Sequence, residues 1–161
     1  MALRMIRDER DPILRKKSKE VREVTPRIKE LTTDMLDTMY HANGVGLAAP
    51  QVGILKRVIV VDIEPEMRDP HVFINPQIIE QEGACMGQEG CLSVPNRVGE
   101  VERPTRIRLR YLDLAGQEQE LEAEDFFARA ICHEVDHLEG ILFIDHPEFV
   151  PVDPEDPGVM D

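Results

Sequence analysis

The run ARAICHEVDHLEGILF, from Ala128 to Phe143, sets a His-Glu-x-x-His pattern inside a stretch with helical spacing. On a wheel at about 100° per residue, positions 125–142 separate into two sides. Phe126, Phe127, Ala130, Ile131, Val135, Leu138, Ile141 and Leu142 share one apolar arc with Glu134 and His137, and His133 stands at its edge. Asp125, Arg129, Cys132, Asp136 and Glu139 take the opposite side, which reads as a polar face. Glu134 therefore falls in the middle of the apolar arc, where a carboxylate is costly unless something pairs with it or uses it. His133 and His137 lie one turn apart and can reach one point in space. A core helix with two satisfied histidines is the competing reading, but it leaves Glu134 unexplained. A metal ion accounts for both imidazoles and the buried charge together, and this helix must then run through the middle of the fold.

Such a site needs a third protein ligand. The pattern HExxHxxGxxH would supply it downstream; Gly140 fits, but Phe143 stands where the third His should be. A later Glu is the other known solution, and Glu155, the one distant candidate, sits in a proline-rich tail. The ligand must come from upstream or from His146. A thiolate suits a borderline metal, which favours a cysteine, but spacing alone does not choose Cys91 over Cys85.

The rest of the chain predicts an α+β fold with antiparallel sheets around that central helix. Thr25 before Pro26 reads as a helix N-cap with proline at the first position; Ile28, Leu31, Met35 and Met39 carry the helix to about Tyr40. NGVGLAAPQVG (Asn43 to Gly53) breaks it. KRVIVVDI (Lys56 to Ile63) is a buried strand, and HVFINPQII (His71 to Ile79) a strand interrupted near Pro76. Ile107, Leu109 and Tyr111 alternate with arginines in a half-buried strand, the DLAG turn follows, and QEQELEA returns antiparallel. The expected domain is one catalytic unit over 1–161, with 146–161 an extended or disordered acidic tail.

A formal net charge of −13, from 19 basic and 32 acidic residues, argues against direct nucleic-acid binding. No apolar run reaches membrane-spanning length, and no signal peptide is expected from MALRMIRDERDP. The odd set Cys85, Cys91 and Cys132 fits reduced thiols in a cytoplasm.

GVGLAAPQVG (Gly44 to Gly53), EGCLSVP (Glu89 to Pro95) and HEVDH (His133 to His137), in this order, resemble the peptide deformylase family. The resemblance runs from about Asp11 to Asp145 and includes FINP, RPTRIRLRYLD and GILFID. It implies a bacterial cytoplasmic hydrolase that removes the formyl group from N-terminal formylmethionine of nascent chains, by attack of metal-bound hydroxide. It also implies Cys91, His133 and His137 as ligands of one divalent ion, ferrous iron in the cell, with zinc, nickel or cobalt as substitutes. Glu134 becomes the general acid/base; the Gln51 side chain and the Leu92 backbone N–H stabilise the oxyanion; Gly46 offers backbone contacts to substrate. Val45, Phe126 and Ala130 are expected to form the methionine pocket, Arg97 to hold the peptide backbone, and Arg103 to pair with Asp136 behind the site. The sequence departs from the family at Cys132 (usually Gln), at Asp125-Phe126-Phe127 (usually Gly and two apolar residues), and in its acidic tail. Some members carry a basic helix there for transient ribosome contact.

Overall fold

A computed structural model describes residues 2–153. Among these residues eight strands form two antiparallel sheets, joined by two α-helices. One sheet has the order β1 (Gly46–Ala48), β2 (Val58–Val61), β3 (His71–Glu82), β6 (Arg106–Leu112), β7 (Glu118–Glu124); the other runs β4 (Cys85–Cys91), β5 (Val94–Arg103), β8 (Val150–Val152). The helices are α1 (Pro26–His41) and α2 (Asp125–Leu138).

The first helix starts where Thr25 and Pro26 predict. Thr25 Oγ1 accepts the Ile28 N–H at 3.3 Å, which satisfies one of the orphan donors of the first turn. Both faces of β2 are buried, because the five-stranded sheet lies between the helices. Val58 and Val60 join α1 residues Ile28, Leu31, Met35 and Met39 in one core. Ile59 and Val61 join Ala128, Ala130, Ile131 and Leu138 of α2 in another. This is why the strand reads as an unbroken apolar run rather than an alternating one.

The interruption expected near Pro76 is a bulge inside a longer strand. Pairing of β3 with β6 shifts register between Ile74 and Gln77, and Asn75 takes φ 51°. The Asn75 side chain accepts from Val21 N–H and donates to Val21 C=O, both at 2.8 Å, tying the chain before α1 to the sheet.

Two expectations for α2 need correction. The helix ends at Leu138, not at 142. Gly140, at φ 76°, closes it: its N–H bonds to His137 C=O, and that of Ile141 to Asp136 C=O, a Schellman arrangement. Ile141 and Leu142 therefore lie outside the wheel on which they were placed. The supposed polar face, moreover, is not solvated at Arg129 or Cys132, which are both buried. The second sheet covers that side. The Arg129 guanidinium donates to the backbone C=O groups of Cys85, Gly87 and Val101 on β4 and β5, and a Cβ on Gly87 would lie 2.7 Å from it. Strands β4 and β5 escape a sequence reading because CMGQEGC and VPNRVGEVER carry glycines and charges rather than strand-forming residues.

From the expected tail, Val150–Val152 form β8, which pairs with Val98–Glu100 of β5; residues 154–161 lie outside the described part. No described helix is long and apolar enough to cross a membrane.

Candidate active site

Three chain segments meet over the middle of α2. The helix supplies His133, Glu134 and His137. The end of β4 brings Cys91 and the tight connection after it Leu92 and Ser93, while β1 and the 3-10 turn Ala49–Val52 bring Gly46 and Gln51. Ligand atoms of Cys91, His133 and His137 all lie within 4.8 Å of one another, with Cys91 Sγ 3.3 Å from His137 Nε2. The other candidates fall elsewhere: Cys85 Sγ lies 3.6 Å from Arg129, His146 bonds Asp136 at 2.8 Å, and Cys132 is enclosed, its thiol pushed up to about 12 by burial.

The glycines of the first motif have a direct spatial reason. A Cβ on Gly46 would stand 2.5 Å from Glu134 Oε2, and one on Gly44 would stand 2.8 Å from Leu92 Cδ1. Each glycine makes room for a side chain from another motif, so the three segments interlock.

Glu134 is buried, and its Oε1 has no hydrogen-bond partner. Burial pushes its carboxyl up to about 7. His137 Nδ1 is likewise buried without a partner, and burial beside His133 and Arg103 drives that ring well below its ordinary value. His133 behaves oppositely: burial opposes its charge, but Cys91, Glu134 and Glu89 outweigh burial and favour a cation. Its Nδ1 lies 2.9 Å from Glu89 Oε1, which leaves Nε2 to act as a ligand. One thiol and two imidazoles converging where nearby acids favour positive charge fit a divalent borderline metal.

Behind His133 stands a network only partly foreseen. Glu89 accepts from His133, from Arg103 Nε and Nη2 at 2.8 and 2.9 Å, and from Arg129 Nη1 at 2.8 Å. Arg103 also donates to Asp136 at 2.7 Å, the pairing expected from sequence. Glu89 and Arg129 were missed; the available signal was the place of Glu89 two residues before Cys91 on β4, from which both reach α2.

The remaining expected residues are placed as follows. Gln51 and Ala130 are buried, Val45 is half-buried and Phe126 is 50% exposed. Arg97 is exposed on β5, its guanidinium 3.6 Å from Glu9. Asp125 adopts φ 54°, a left-handed entry into α2.

A helix bearing two imidazoles one turn apart, a thiol from an adjoining sheet and a buried carboxylate between them define a metal-dependent hydrolase. The comparisons agree. The family model described as polypeptide deformylase matches residues 3–151. Peptide deformylase 1 of Clostridium acetobutylicum is 55% identical over 145 residues, covering 90% of this chain and 95% of that protein. Peptide deformylase of Agathobacter rectalis is 55% identical over 148 residues, 92% of each. Among solved structures, the peptide deformylase of Thermotoga maritima matches with TM-score 0.87 and 42% identity, over 91% of this chain and 98% of that one. That of Legionella pneumophila gives 0.87 and 40%, over 89% and 85%. The chain belongs to the polypeptide deformylase family. Its members are metal-dependent hydrolases that remove the formyl group from formylmethionine at the N-terminus of newly made proteins.

Proposed function

We propose that Cys91, His133 and His137 hold one divalent ion and that Glu134, Gln51 and Leu92 carry out the deformylation around it. The observation that carries this reading is the convergence of the three ligand atoms within 4.8 Å beside the buried carboxylate of Glu134. When bound, such an ion polarises oxygen and lowers the pKa of water toward neutrality.

Glu134, its carboxyl pushed up to about 7 by burial, suits proton transfer near neutral pH: it takes a proton from water and delivers it to the leaving amine. Negative charge grows on the formyl oxygen as water adds. The Gln51 amide and the Leu92 backbone N–H are donors held in place beforehand, the arrangement that best stabilises such charge. Gly46 offers backbone contacts to the peptide. The methionine side chain enters an apolar pocket lined by Val45, Phe126 and Ala130, and Arg97 on β5 holds the peptide beyond it.

The ion in the cell is ferrous iron, a choice that a Cys-His-His donor set permits along with zinc, nickel and cobalt; metal analysis after anaerobic purification tests it. The chain works as one domain in the cytoplasm, on chains emerging from the ribosome, and any ribosome contact is transient. Co-sedimentation with ribosomes at low and high salt checks that contact. The decisive assay compares formate release from formyl-Met-Ala-Ser with cleavage of the unformylated peptide. Formate release alone supports the proposal; peptide cleavage without formate release refutes it.

A further inference from the structure

We propose that Ser93 is the positioning residue for Gln51, fixing its amide so that the second N–H, held only by a long contact to the Cys91 sulfur, is available to the formyl oxygen. The inference rests on the reading of Gln51 as an oxyanion donor.

The amide orientation follows from its neighbours. The Ala48 backbone N–H can only donate, and it lies 2.9 Å from Gln51 Oε1, so the oxygen of the amide is turned away from the ligand cluster. Nε2 is then left 2.9 Å from Ser93 Oγ and 3.6 Å from Cys91 Sγ. A primary amide has two N–H donors. Ser93 takes one, and the other points to the side where Cys91 meets the two imidazoles.

The two acceptors hold this nitrogen unequally, Ser93 Oγ at 2.9 Å and Cys91 Sγ at 3.6 Å. A thiolate is charged and draws an N–H more strongly than a neutral acceptor at equal geometry. Ser93 offsets this by being closer, and both side chains are rigidly enclosed, Gln51 at 1% and Ser93 at 0% exposure. Without the hydroxyl, a buried N–H loses its partner, which is expensive. The remaining contact to the sulfur then draws the amide closer, and the donor leaves the place where the oxyanion forms. Small misplacements of a catalytic donor cost large factors in rate.

Ser93→Ala is expected to lower kcat about tenfold, as a misplaced rather than a missing donor should. KM for formyl-Met-Ala-Ser should stay within about twofold, since only the transition state draws on the donor. Metal content should not change. Gln51→Ala should lose about a hundredfold or more, and adding Ser93→Ala to it should cost nothing further. Wild-type kcat in Ser93→Ala, or losses that multiply in the double variant, overturns the role of Ser93 while leaving that of Gln51 standing. Wild-type kcat in Gln51→Ala removes both. A second measurement does not depend on the variant folding. In the zinc-loaded wild type, one Gln51 side-chain N–H should show a through-space NMR contact to the Ser93 Cβ protons and slow exchange with solvent. Rapid solvent exchange with no contact to Ser93 would show that Ser93 does not hold it.

Discussion

Replacing Glu89 by glutamine keeps the shape of the side chain and removes its charge. In the native structure its two oxygens receive four donors, one from His133, two from Arg103 and one from Arg129. Whichever way the new amide lies, its nitrogen faces two donors that it cannot accept. With the nitrogen on the Arg129 side, Arg103 keeps Asp136 as a partner, and Arg129 is left with backbone carbonyls and the Cys85 sulfur. The Glu89 and Arg103 side chains are each 4% exposed, so solvent does little to screen the loss. Breaking a buried pair by removing one partner costs about 3–5 kcal/mol. For a chain of this size that lowers Tm by roughly 6–20 °C. The freed imidazole of His133 should also weaken metal binding about 10–100-fold, the usual effect of losing the group that orients a ligand. The pH dependence has a defined sign. Burial alone would raise the Glu89 carboxyl, but hydrogen bonds and charges from Arg103 and His133 overcome it and hold the group well below its ordinary 4.5. The resulting stability is complete above about pH 4.5 and is lost as pH falls toward the folded-state value. The gap between wild type and Glu89→Gln should therefore be widest near neutrality and narrow on acidification. Denaturant unfolding at several pH values, with chelator competition for the metal, measures both effects. A variant within about 1 kcal/mol of wild type that holds its metal equally well would refute the assignment.

Glu134→Ala should keep its metal and lose at least about a hundredfold in kcat; metal content measured beside turnover checks it. Cys91→Ala should release the metal to a chelator, whereas Cys85→Ala and Cys132→Ala should retain it. Those two thiols lie outside the ligand cluster among the described residues, and a reversed outcome would overturn the ligand set. Asp125→Gly should stabilise the protein by roughly 1 kcal/mol, because a non-glycine residue at φ 54° pays for a left-handed backbone; the midpoint of urea unfolding reports it.

Local pattern alone determined a good deal about this protein. The Thr25-Pro26 cap, the doubly buried run at Val58–Val61, the Asp113 turn and the start of α2 at Asp125 are all written in short-range chemistry. So are the two histidines one turn apart and the misplaced carboxylate of Glu134, and three motifs in order were enough to suggest the family. Tertiary structure decided which cysteine faces the imidazoles, because spacing along the chain does not measure distance across a fold. Cys91 reaches His137 across a sequence separation of 46 only because β4 folds back over α2. The same covering sheet turned the supposed polar side of the helix into a buried one. Arg129 and Cys132 read as solvent-facing on a wheel, since a wheel reports polarity and not what lies opposite. In the fold, Arg129 meets strand carbonyls and the carboxylate of Glu89, and that pairing, invisible to any periodicity, is what allows charge to be buried behind His133.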